Sequence, residues 1–487
     1  MKPRRAERRA AHFTGVLWLI LTSAIPAVVF AQPFGGSLQP GAPPQAGSSV
    51  AAPAGMPTGA AQAAPAMPAA GSQQQQMIDL PTVLKLAGMN DLDLALVREA
   101  ENEAKAANDA AMLRFFPWLN AGGGYNRVTG ADQAFGGRVS SVNQQLYDRA
   151  ISVNLPLDLG TALFEKLAAR QLQHAAAYDT EAQRNDSLFT AASAYFDLVN
   201  AVASEDIARE AVRISQDYEQ QLDRGYRAGL INRSELLRVT VQTDRNEVLL
   251  RQSQASARTA SAALATRLRL DPTVYLEPRE RIVAPATLVP IDTPVTALVK
   301  DALTFRPELK ASASAVAAAD QQRIAAKYGP LIPSLTAQAI YGQLRGGANG
   351  YLSDYMTSHD YTIGLNWRFG QGGLFDFSRT ETANSQLRHQ QLAAEKLHDD
   401  ISQEVVFAYE TAHAALDQMG LARRSVESAE ESLKLSEQRK EFGVYAVLEV
   451  IQAQQDLTQA RRDYAQALTQ YAKAQYALAR AIARIGE

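Results

Sequence analysis

Two stretches of this chain read as very long helices, and that limits the fold more than any other feature. From about Phe164 to Arg224 there is neither proline nor glycine. Apolar residues there recur at steps of three or four: Leu188, Ala192, Tyr195, Val199, Val202, then Ile207, Ala211, Ile214 and Tyr218. The segment from about Thr380 to Phe442 lacks proline and steps the same way through Ile401, Val405, Ala408, Ala412, Ala415, Met419, Ala422, Val426, Ala429 and Leu433. Roughly 60 residues at about 1.5 Å each make rods of about 90 Å, some three times the width of a small domain.

Each rod is followed by a second helix with a seven-residue repeat. In the last one Val450, Leu457, Tyr464, Tyr471 and Leu478 form one row, and Ala453, Ala460, Ala467, Ala474 and Ala481 form the row beside it. Large residues facing alanines let neighbouring helices approach closely, as in a coiled coil. The counterpart is more mixed, with Leu236, Thr243, Leu250, Ala257 and Leu264 beside Val239, Asn246, Ser253, Ala260 and Arg267.

The chain from Asp79 onward is duplicated. Gly229-Leu230 followed by Glu235-Leu236-Leu237 corresponds to Gly443-Val444 followed by Glu449-Val450-Ile451, both pairs 214 positions apart (443 minus 229, 449 minus 235). Phe116-Pro117-Trp118-Leu119 opens a strand in the first half, as Ile332-Pro333-Ser334-Leu335 does in the second. The expected organisation is a first repeat over 79–293 and a second over 294–487. Each holds a short helix, two strands (118–127 and 149–158; 334–343 and 360–369) and two long helices (162–226 and 232–270; 376–441 and 446–484).

The strands alternate cleanly. Ile151, Val153, Leu155 and Leu157 share one face, and Tyr361, Ile363, Leu365, Trp367 and Phe369 do the same, with polar residues between them. Leu119, Ala121, Gly123 and Tyr125 oppose Asn120, Gly122 and Asn126; Leu335, Ala337, Ala339 and Tyr341 oppose Thr336 and Gln338. One apolar and one polar face suits a strand between lipid and water, and runs of about 9 to 11 residues are the length that a tilted membrane strand needs. A half-buried strand in a soluble sheet shows the same period. Trp118 and Trp367 favour the membrane, because amphipathic aromatics concentrate at its boundaries. The connections 127–148 and 343–359 are then expected outside. Four strands cannot close a barrel, since the smallest single-chain ones have about eight, so closure requires several chains.

Lys2, Arg4, Arg5, Arg8 and Arg9 precede an apolar run from Phe13 to Phe30 that ends in Val29-Phe30-Ala31. This reads as a secretory signal over 1–31; the same run could serve as an uncleaved inner-membrane anchor. Its removal takes five positive charges and one negative from a net −3, leaving about −7, so nucleic acid is not an expected partner. Residues 32–78, built from Pro, Ala, Gly, Gln and Ser, are expected to be a disordered linker. The chain contains no cysteine, which excludes disulfides and a lipidated cysteine anchor. His174, His359, His389, His398 and His413 include no i,i+4 pair, and there is no phosphate loop or nucleophile elbow. Neither an enzyme nor a cofactor or metal site is expected.

A duplicated chain with two strands per half, rods of this length and Gly-Leu type turns at their tips resembles the TolC-like outer membrane efflux proteins. The resemblance covers nearly all of residues 79–484. It implies a mainly α fold with a membrane β-barrel: three chains form a twelve-stranded barrel, continued by a long α-barrel in the periplasm. Around the helices it implies an equatorial region, drawn here from 271–294 and the C-terminus. The implied partners are two further copies of the chain, a periplasmic adaptor, an inner-membrane transporter and outer-membrane lipid. The implied function is an exit duct for efflux or type I secretion. An adaptor-docking tip would consist of Ala228, Gly229, Leu230 and Ile231 with Phe442, Gly443 and Val444. The constriction ring would place Glu449 and Gln452 where the family carries acids, so three copies of Glu449 would favour cations. A latch acid would be Glu235, with Lys440 and Tyr445 where the family has a tyrosine and an arginine. Boundary aromatics would be Trp118, Tyr125, Tyr361, Trp367 and Phe369. The competing readings are a periplasmic adaptor and a coiled-coil scaffold without a barrel. Cargo is not legible.

Overall fold

The computed structural model describes residues 75–133, 137–282, 287–441 and 447–485. The signal segment and most of the expected linker lie outside them, as do the Phe442, Gly443 and Val444 of the second tip. The elements run β1 (Gln75–Ile78), α1 (Leu80–Asn90), α2 (Leu92–Leu113), β2 (Trp118–Gln133), β3 (Val139–Leu157), α3 (Leu159–Arg227) and α4 (Arg233–Arg267). Then come β4 (Tyr275–Pro278), α5 (Val295–Phe305), α6 (Pro307–Tyr328), β5 (Ser334–Ala348), β6 (Met356–Asn366), α7 (Phe377–Glu441) and α8 (Val447–Ala481).

The two halves repeat this order at a nearly fixed offset. α4 and α8 each contain 35 residues and start 214 positions apart (447 minus 233). α1 and α5, like α2 and α6, start 215 apart (295 minus 80, 307 minus 92). Both long rods begin behind an aspartate that caps a free helix N–H group: Asp158 accepts from the Thr161 amide and Asp376 from that of Arg379, while Asp376 also accepts from the Gly372 amide in the preceding turn. α3, at 69 residues, extends for roughly 100 Å.

β2, β3, β5 and β6 form one antiparallel sheet in that order. The strands are longer than the apolar alternation implied, and this corrects the expected 127–148 loop. β2 and β3 stay in register from Trp118↔Asn154 to Gln133↔Val139, so most of that stretch is a hairpin. The ladder continues because backbone pairing does not need an apolar face. β6 ends at Asn366, before Trp367 and Phe369. Gly370 and Gly372, with φ of 86° and 73°, turn the chain there, and the Phe369 ring stacks on Phe375.

A second correction concerns the linker. Residues 75–78 are not disordered: β1 pairs in parallel with β4, and Ile78 is buried in a core with Val83, Tyr195, Phe196, Leu264 and Leu276. A related core joins Val289, Leu298 and Ala302 to Ile401, Val405, Tyr471, Leu478 and Ile482. The side chain of Gln475, fully buried, accepts from the amides of Leu288 and Val289 and so clamps that extended segment to α8. These layers wrap the middle of the rods.

Around the long axis the helices form an arc. Next to the sheet the packing order is α2, α3, α6, α7; further away it is α4, α3, α8, α7. α7 is therefore last in both rows, with α5 packed against its middle. No helix among the described residues is long and apolar enough to cross a membrane.

Candidate functional site

Two regions carry the site: the sheet at one end of the rods and the hairpin turns at the other. The sheet has two unpaired edges, 16 residues of β2 and 11 of β6. Its register sorts the side chains. Leu119, Val153, Ala339 and Tyr361 lie in one row, and Ala121, Ile151, Tyr341 and His359 in the next. Leu155, Ala337 and Ile363 line up on the same side, as do Leu157, Leu335 and Leu365. The other side presents Asn120, Ser152 and Ile340, then Asn154, Gln338 and Thr362, then Asp148. Gln338 donates to Asn154 across this polar face, 2.7 Å away. Side chains as large as Ile363 and Tyr361 stand about four-fifths exposed on the apolar face, which no other described residue covers.

Trp118, Tyr125, Tyr361, Trp367 and Phe369 are all exposed. Trp118 shares its row with Asn154, Gln338 and Thr362 and so stands on the polar side of the sheet, opposite Leu119, while Trp367 lies just past the end of β6.

At the far end α3 closes in a Schellman turn. The Leu230 amide donates to the Gly225 carbonyl and the Gly229 amide to that of Tyr226, while Gly229 adopts φ 73°. Ile231 sits on Gly225 so closely that a Cβ there would lie 2.6 Å from it. Leu230, beside Ala228, is left 77% exposed. Tyr218, Leu222, Val239, Val447, Val450 and Ile451 form a small core that unites α3, α4 and α8 beneath the turn. Gln455 donates to Gln242 between the two hairpins.

Glu235 and Glu449 both occupy the first turn of their helices, where the helix dipole favours negative charge. Glu449 is paired as well: it accepts from Arg439 of α7 at 2.8 Å. The sequence reading missed Arg439, ten positions upstream, because only the antiparallel return of the hairpin brings it close. Gln452 is exposed one turn further on. Tyr445 and the Lys440 side chain, the suggested latch partners of Glu235, lie outside the described residues. Among the described residues no cluster of His, Cys, Asp and Glu could hold a metal.

A sheet too narrow to close, with one apolar face and two free edges, continued by an arc of helices many turns long, defines one protomer of a membrane-embedded tubular channel. Residues 83–268 and 298–484, one stretch in each half, match the sequence profile of outer membrane efflux proteins. The chain belongs to the outer membrane efflux protein family, a family of channels and not of enzymes. Its fold is similar to the Campylobacter jejuni outer membrane channel CmeC, with a TM-score of 0.69 and 18% identity over 84% of this chain and 86% of that one. It also resembles the Vibrio cholerae outer membrane protein VceC, with a TM-score of 0.69 and 16% identity over 83% and 95% of the two chains. The Neisseria gonorrhoeae outer membrane channel MtrE in its open state gives a TM-score of 0.63 and 18% identity over 83% and 88%. No curated protein matches the chain by sequence.

Proposed function

We propose that three copies of this chain form a continuous exit duct, with a twelve-stranded barrel in the outer membrane and a helical barrel reaching into the periplasm. The observation that carries the reading is the sheet with two free edges, because an isolated edge in lipid leaves backbone groups without hydrogen bonds. Pairing β6 of one copy with β2 of the next removes every edge. α7 supports the same closure. It carries Phe407, Ala414, Leu421, Ser428 and Leu435 at intervals of seven, and the three large residues are exposed in the single chain.

In this duct the turn Ala228, Gly229, Leu230 and Ile231, with Phe442, Gly443 and Val444 of the second hairpin, docks a periplasmic adaptor, which connects the duct to an inner-membrane transporter. Glu449, with Gln452 beside it and Glu235 in the neighbouring hairpin, lines the narrow periplasmic end. The chain reaches the outer membrane after export by its N-terminal signal.

The test is the native mass in detergent of the protein purified from membranes, followed by conductance in a planar bilayer. A conducting trimer is the expected result; a soluble monomer that needs no detergent would refute the duct. Leu230→Ser should leave the trimer and its conductance intact while export in cells falls, which separates the docking role from assembly.

A further inference from the structure

The apolar face of the sheet does not end in ordinary polar residues. Beyond the Ala121, Ile151, Tyr341, His359 row it continues with Gly123, Arg149, Gln343 and Thr357, then Tyr125, Tyr147 and Arg345, then Arg127 and Gln145. Strand alternation thus keeps Arg127, Arg149 and Arg345 on the side of Ile151 and Val153, whereas Asp148 and Asp360 fall on the other. The sheet separates its charges by face.

The level of these arginines follows from the same register. Arg127 stands eight positions above Leu119 (127 minus 119), Arg149 eight above Leu157 (157 minus 149) and Arg345 ten above Leu335 (345 minus 335), each counted from the apolar-face residue of its strand nearest the helices. These spans are close to the roughly 9 to 11 residues of a membrane crossing. The arginines lie at the outer edge of the apolar band, among Tyr125, Tyr147, Tyr341 and Tyr355.

None of the three has a carboxylate partner among the described residues. Arg127 donates to the Asn143 side chain, Arg149 to that of Gln343, and Arg345 to the Ser353 carbonyl. The Arg149 and Arg345 guanidiniums both lie over the Tyr355 ring, 4.5 Å and 5.7 Å from its centroid. Neutral acceptors and one ring hold the guanidiniums in place without neutralising them. Planar forks of this kind match phosphate oxygens.

We infer that Arg127, Arg149 and Arg345 form a headgroup site on the lipid-facing wall, which takes the phosphates of lipid A in the outer leaflet. The inference rests on the duct reading, which supplies the membrane. Acyl chains would lie on Ile151, Val153 and Tyr341 while the glucosamine phosphates meet the guanidiniums above them.

The test is native mass spectrometry of the detergent-purified wild-type trimer with bisphosphorylated lipid A, with dephosphorylated lipid A, and with bisphosphorylated lipid A plus excess inorganic phosphate. Wild type should retain bisphosphorylated lipid A at least about tenfold better than the dephosphorylated form, since the guanidinium–phosphate pairs then supply the affinity. The variant R127Q/R149Q/R345Q should lose that preference. The comparison of the two lipids on unaltered protein needs no variant to fold. Equal retention of both lipids by a well-formed trimer would overturn the headgroup site and leave the duct standing. Complete displacement by inorganic phosphate would also overturn it, leaving a free-phosphate site. Failure of the wild type to form a trimer would remove the duct, and the headgroup site with it.

Discussion

Arg269 and Ala483 close α4 and α8 in the same left-handed conformation, φ 59° at each, and stand 214 positions apart (483 minus 269). The backbone has kept a turn that glycine would fill with less strain, so Arg269→Gly should raise stability by about 1 kcal/mol, read in denaturant melts. The pairing of Arg439 with Glu449 changes what a ring of Glu449 would do, because each negative charge is matched by a neighbouring positive one. In bilayers Arg439→Gln should increase cation preference and Glu449→Gln should reduce it; no change in either would remove Glu449 from the narrow end. A third residue-scale effect is pH. Burial opposes ionisation of Glu308, but the hydrogen bond and charge of Arg306 outweigh it and hold the carboxyl below its ordinary 4.5. Its contribution is therefore complete above 4.5 and lost as pH falls through the lowered value. Melting temperature should drop more steeply as pH falls below 4.5 in wild type than in Glu308→Gln.

The elements were legible in proportion to how strictly their side chains repeat. α8 buries all five alanines of its seam with Val450, Leu457, Tyr471 and Leu478, because a strict seven-residue period leaves one packing solution. β3 was readable from Ile151 to Leu157, where one face is apolar, and unreadable beyond Arg149. There Leu146 and Leu344 fall on the polar side, and the strand persists through backbone pairing with a few cross-strand side-chain contacts such as Arg127 to Asn143. β1 escaped notice because four residues, Gln75 to Ile78, show no period, and only their pairing with β4 defines them. The Gln475 clamp was equally hidden: a glutamine on a helix reads as surface until Leu288 and Val289 are seen donating to it. Gln475→Ala should cost about 2 kcal/mol by leaving the buried Val289 amide and the partly buried Leu288 amide without an acceptor, and hydrogen exchange at those two amides is the direct readout.

On the scale of the whole molecule, the single chain exposes what an assembly would cover. Phe407, Leu421 and Leu435 stand along the edge helix of the arc, and the free borders of the sheet stand above them. Leu421→Asp is expected to leave the chain folded, since the side chain already faces solvent, and to abolish the trimer in native mass measurements. In the proposed trimer a wall that closes only when the third copy arrives would have no sound two-thirds form, and this has a genetic consequence. One defective border spoils all three copies. In a cell that makes equal amounts of normal and Leu421→Asp chains, random mixing leaves only about one trimer in eight built wholly of normal subunits. The altered allele should therefore behave as dominant if its chains still enter assemblies, and as recessive if they are excluded from them.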